Sequence, residues 1–145
     1  MCIISLFIVV LYESISLSLF NCYSKMVEVG RSLQEIITST PGISSIFITD
    51  RDGVPIASSG TETRSRQALV QSYQMTMEPA SKLDMGPQKY AFFYYDQRQV
   101  AVITVHPMVI FIVAAPDTNS GVLMSMGERM EPLLQQLEKI IGDLP

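Results

Sequence analysis

A chain of 145 residues, 48% of them apolar and 17% charged, carries enough apolar side chain for the core of one domain. Its low charge and its two cysteines, Cys2 and Cys22, exclude an intrinsically disordered chain and a disulfide scaffold. There are 10 basic residues against 14 acidic ones, a net charge of -4, and the basic ones are scattered, as at Arg51, Arg64, Arg66, Lys82, Lys89 and Arg98. Nucleic-acid binding as the main task is excluded as well, because phosphate contacts need lysine and arginine in clusters.

The first 25 residues differ from the rest. Residues 2–11 are apolar apart from Ser5, and residues 12–19 are apolar and serine-rich with one charge, Glu13. A signal peptide carries basic residues before its apolar run and small residues before the cleavage point. Here no lysine or arginine precedes Lys25, and Phe20-Asn21-Cys22-Tyr23 is a poor cleavage site. A spanning helix needs about 20 apolar residues, and Glu13, Ser14, Ser16 and Ser18 interrupt the run. Three readings stay open: an upstream extension with Met26 as the working start, a membrane anchor, or a secretory signal. The expected division is an extension over residues 1–25 and a domain over residues 26–145. That domain has no cysteine and no Asn-x-Ser/Thr acceptor, which suits an intracellular setting.

Within residues 26–40, Val27, Leu33, Ile36 and Ile37 recur at helical spacing, with Glu28 and Glu35 on the wetter side. Pro41-Gly42 stops that helix. Residues 43–49 and 54–58 read as strands joined by Asp50-Arg51-Asp52-Gly53, where Asp-Gly supplies the positive backbone angles of a hairpin. The same letters open a calcium loop, but a third ligand before the glycine is missing and the twelfth position is Thr61, not glutamate. The hairpin is the better account.

Thr61 or Thr63 can cap the next helix, in which Leu69, Tyr73, Met77, Ala80 and Leu83 recur at steps of four and three. Pro79 should kink or divide it, and Gly86-Pro87 ends it. Residues 89–95, 99–105 and 108–115 are predicted strands, with connections short enough to make neighbours antiparallel. Tyr90, Phe92 and Tyr94 oppose Ala91, Phe93 and Tyr95, and Val109, Phe111 and Val113 oppose Met108, Ile110 and Ile112. Such a sheet is apolar on both faces and needs cover on both. A last helix over residues 122–141 carries the stripe Leu123, Met126, Met130, Leu133, Leu134, Leu137 and Ile141, with Gly142 as its stop.

Catalytic chemistry finds little purchase. His106 is the one histidine, before Pro107 at a strand junction, and no Gly-x-Ser-x-Gly elbow supplies a nucleophile. With no cysteine beyond residue 22, a metal site lacks its usual ligands. Glycine-rich phosphate loops are absent. Asp50 and Asp52 serve the turn, since a hairpin tip is too solvated for general-acid work. The aromatic run Tyr90, Phe92, Phe93, Tyr94 and Tyr95 lacks the basic groove of a base-stacking platform, and so points to core or partner contact. Met75, Met77, Met124, Met126 and Met130 read as packing residues.

The element order resembles the roadblock family, and several stretches resemble its Ragulator-type MAPK-scaffold branch. They are Thr49-Asp50-Arg51-Asp52-Gly53-Val54-Pro55, Ser81-Lys82-Leu83, Tyr94-Tyr95, Gln99-Val100, Pro107, Asn119-Ser120-Gly121 and Glu131-Pro132-Leu133. The resemblance implies a profilin-like α/β fold: a five-stranded antiparallel sheet in the order 2-1-5-4-3, helices on both faces, and residues 89–95 at an edge. It also implies pairing, edge strand to edge strand, with the second helices packed antiparallel. Leu69, Tyr73, Met77, Ala91, Phe93 and Tyr95 are then the partner interface. An aromatic edge strand left bare invites aggregation, and a partner of standard size would bury roughly 800 Å² on each side.

The implied partner is a second roadblock-fold subunit in a Ragulator complex. That complex would be held by a lipidated subunit on the cytosolic face of late endosomes and lysosomes. There the pair would support MEK and ERK kinases and, with Rag GTPases, activation of the mTOR complex. A roadblock-type dynein light chain, binding an intermediate chain, is the alternative. No enzymatic activity and no cofactor are expected. Residues 1–25 depart from the pattern, since the family starts just before its first helix.

Overall fold

A computed structural model describes residues 2–61 and 64–142. Its first element, α1 (Cys2–Ser39), is a single unbroken helix. A helix starting near Met26 was expected, and this one starts far earlier. Neither proline nor glycine occurs before Gly30, so nothing in the backbone separates the apolar segment from the amphipathic one. Val29 and Leu33 of α1 are buried, and Cys22, Met26, Ile36 and Ile37 pack against the same core. The helix ends beside Pro41, where Gly42 takes φ +94°. Arg129 donates to Thr40 Oγ1 (3.2 Å) and Ser39 Oγ (3.4 Å), setting a cation at the negative end of the α1 dipole.

Five strands follow: β1 (Ile43–Asp50), β2 (Pro55–Gly60), β3 (Tyr90–Tyr94), β4 (Gln99–Val105) and β5 (Met108–Ala114). They form one antiparallel sheet in the order β2-β1-β5-β4-β3, as the resemblance implied, so β3 is an edge. The β1–β2 turn is built by Asp50, whose Oδ1 accepts from the backbone N–H of Asp52 (2.9 Å) and Val54 (2.8 Å). Gly53 sits there at φ +85°, and a Cβ on it would lie 2.7 Å from Val70 Cγ1. Glycine is needed for both the angle and the close approach.

Alternation along β1, β4 and β5 sorts side chains into two cores. Ile46, Ile48, Ala101, Ile103, Ile110 and Ile112 face α1 and the last helix, and Phe92 of β3 joins them. Phe47, Val100, Val102, Val109, Phe111 and Val113 face the other way. Phe47 and Phe111 are register partners, and their rings stack at 4.7 Å. Gln99 ties the start of β4 to the loop after β5 by donating to the carbonyls of Ala115 (2.9 Å) and Thr118 (2.6 Å).

The second core lies under α2 (Arg66–Ser81), which contains Pro79. Thr61, one of the two expected caps, does not cap it. Ser65 is the N-cap and makes no side-chain cap bond, while Thr61 gives its backbone N–H to Ser44 at the strand end. Thr63 lies outside the described residues. Leu83, expected as the last residue of the stripe, falls beyond the helix and is 62% exposed. The last helix, α3 (Ser120–Gly142), buries Leu123, Met126, Met130, Leu133, Leu134 and Leu137 as expected, then Ile140 instead of Ile141. Both positions satisfy the spacing from Leu137, and the phase of the whole helix against the sheet selects the first. Phe111→Ala removes a ring shared by Phe47 and Tyr73, so chemical denaturation should show a loss of about 3–5 kcal/mol.

Candidate dimerisation face

Of the 16 residues in α2, only Val70 and Tyr73 are buried. Tyr73 is held from two sides: its hydroxyl lies 2.7 Å from Thr104 Oγ1, and its ring meets Phe111 edge-on at 5.5 Å. The Arg66 guanidinium lies 5.1 Å from the centre of the Phe47 ring and pins the start of the helix. The rest of α2 rests lightly on the sheet. A groove of about 660 Å³ beside it is lined by Ala68, Leu69, Tyr95, Val100 and Val113. Another of about 710 Å³ is lined by Tyr73, Met77, Ala80, Thr104 and Pro107.

Leu69, Met77, Ala91 and Phe93 are all half-buried and pack against the core under α2. Tyr73 belongs to that core itself, with 5% of its surface exposed. Tyr95 lies one residue beyond β3, is exposed, and shares the first groove with Leu69. The six residues are thus gathered on one side of the sheet, in three grades of burial. β3 pairs with β4 along Tyr90–Tyr94, and its other edge has no neighbouring strand among the described residues.

Two exposed methionines lie outside the α2 stripe. Met75, read from sequence as a packing residue, is 78% exposed on α2, and Met85 just beyond the helix is 86% exposed. Met75 is two residues from Tyr73 and from Met77, about 200° around the helix at 3.6 residues per turn, so the spacing itself puts it on the outward side and the packing role was the error. On the opposite face of β3, Tyr94 sets its hydroxyl 2.9 Å from Ser120 Oγ and stacks on Phe92 at 6.3 Å. His106 is exposed at the β4–β5 turn. Among the described residues, no three His, Cys, Asp or Glu side chains come together as a metal site.

The edge strand β3 and the lightly seated α2 thus lie together on one side of the domain. Residues 27–141 match the family described as mitogen-activated protein kinase kinase 1 interacting. The chain belongs to that family. Ragulator complex protein LAMTOR3-B of Xenopus laevis is 31% identical over 118 residues, spanning 79% of this chain and 96% of the relative. Ragulator complex protein LAMTOR3 of Pagrus major is 27% identical over 118 residues, spanning 79% and 95%.

Among solved structures, the Roadblock/LC7 domain from Streptomyces avermitilis matches with a TM-score of 0.60 at 14% identity, over 77% of this chain and 96% of that one. A structure titled MglB with tetrameric arrangement matches with a TM-score of 0.65 at 17% identity, over 82% and 92%. At such identities the likeness establishes the roadblock fold and nothing more.

Because Tyr73 is anchored inside the protomer, Tyr73→Phe should weaken folding by about 0.5–1.5 kcal/mol through loss of the Thr104 bond. Equilibrium unfolding of the two proteins measures this, and no change would mean that the bond is replaced by water.

Proposed function

We propose that this chain is a non-enzymatic scaffold subunit of the Ragulator type, and that it works as one half of a roadblock pair. The single observation carrying this is the free edge of β3 beside the half-buried residues of α2. A second roadblock domain placed edge to edge would continue the sheet, satisfy the open backbone groups and cover Leu69, Met77, Ala91, Phe93 and Tyr95. Tyr73 would support that interface from beneath. The Ragulator names of the relatives support the choice of complex, and the kinase-kinase-interacting family supports MEK as a signalling partner; ERK is proposed to follow MEK on the same scaffold.

By extension, the pair sits on the cytosolic face of late endosomes and lysosomes with the other subunits. There it helps to dock Rag GTPases for activation of the mTOR complex. The pairing domain comprises residues 26–145. The family match beginning at residue 27 supports this division, although Met26 and Cys22 already touch the core.

Phe93→Asp should abolish pairing, since a carboxylate buried without a partner costs several kcal/mol and each 1.4 kcal/mol is tenfold in affinity. Co-expression with a second Ragulator roadblock subunit, followed by co-purification, reads the result. Normal yield of the pair would remove β3 from the interface, and recovery of dynein intermediate chain in place of Ragulator subunits would overturn the assignment. A chain beginning at Met26 should unfold cooperatively and pair as the full chain does. Failure to fold would place residues 1–25 inside the domain.

A further inference from the structure

The domain covers only part of α1. Among the described residues, Cys22 is the one nearest the N-terminus that packs against the core, which leaves the helix before it projecting. Twelve of the twenty residues 2–21 are Ile, Leu, Val or Phe. They do not form a stripe: the run from Leu6 to Leu11 alone covers more than a full turn of the helix. An 18-residue window of α1 has a mean hydropathy of 2.2, and none of it is buried.

A groove on another protein covers one side of a helix and a coiled-coil partner covers a seam, whereas a helix that is apolar all round needs an apolar medium on every side. Length agrees with this. Twenty helical residues extend about 30 Å at 1.5 Å each, which is the thickness of a bilayer's hydrocarbon core. Glu13 is one carboxyl among twelve large apolar side chains, and neither it nor Ser14, Ser16 and Ser18 interrupts the helix.

We propose that residues 2–21 span a lipid bilayer and tether the roadblock domain in cis. Lys25 and Arg31 follow the span within ten residues, and basic residues at the end of a span stay on the cytosolic side, so the domain faces the cytosol. Exposed Tyr23 lies at the boundary, where aromatic rings with a polar tip favour the interface. The helix continues without proline or glycine to Val29, which is locked in the core. The tether is therefore a stiff strut, and the domain stands directly on the membrane surface. This goes beyond the Ragulator-type reading, in which a lipidated subunit makes the membrane contact.

The full chain, tagged at its C-terminus and expressed in cultured cells, provides the test. The protein should stay in the membrane pellet after an alkaline carbonate wash, and protease added to intact vesicles should digest the domain. Val9→Lys with Leu17→Lys should shift it to the supernatant at least tenfold. Both positions are exposed, so pairing by co-purification should be unchanged. Carbonate release of the unaltered chain, retention of the double variant, or protection of the domain from protease would each overturn the proposal. So would mass-spectrometric recovery of a mature chain lacking residues 2–21, which would mark a cleaved signal or a start at Met26. Pairing is scored separately, so either reading can fail while the other stands.

Discussion

β1, β4 and β5 carry branched and aromatic side chains on both faces, and strands of that kind are stable only between two covers. Every other feature answers to this need. On one face α1 and α3 lie side by side and supply Val29, Leu33, Leu123, Met126, Met130 and Leu137 to a continuous core. On the other face α2 is alone. It buries two residues of its own against the Phe47–Phe111 stack, and four half-buried neighbours remain at the rim. The imbalance between a well-covered face and a thinly covered one gives the domain its outward character.

The thin face and the open edge meet at β3. Its backbone can accept another strand, and Ala91 and Phe93 point to the same side as Leu69 and Met77. Membership of the mitogen-activated protein kinase kinase 1 interacting family gives this surface a context. A scaffold needs side-chain complementarity and no reactive centre. In the proposed pair, α1 and α3 lie on the far side of the sheet from the partner's α2 contact. In the proposed arrangement the tether leaves from α1 on one face while the partner docks by α2 and β3 on the other, so membrane attachment and pairing need not compete.

Much of the chain could be read before its fold was known. Asp-Gly marked the β1–β2 turn because Asp50 bonds the backbone it follows and Gly53 takes a positive φ, both local events. Strand boundaries for β4 matched to the residue, since its flanks, Asp96-Gln97-Arg98 and His106-Pro107, cannot extend a central strand. The stripe of α3 was legible for six of its residues and slipped at Ile140, where local spacing permits two answers. The cap of α2 was missed because several polar residues before a helix look alike in sequence, and only backbone geometry separates Ser65 from Thr61.

Alternation, turn chemistry and helical spacing are properties of neighbours along the chain, and they alone determined the element order, the antiparallel connections and the demand for two covers. How that demand is met depends on residues far apart in sequence. Tyr73 is an inner support because Thr104 and Phe111 reach it from different strands. Residues 2–21 stand clear of the domain because α1 runs straight on past Cys22, where its packing against the core stops. Burial is a sum over three-dimensional neighbours, and a linear pattern proposes that sum without fixing it.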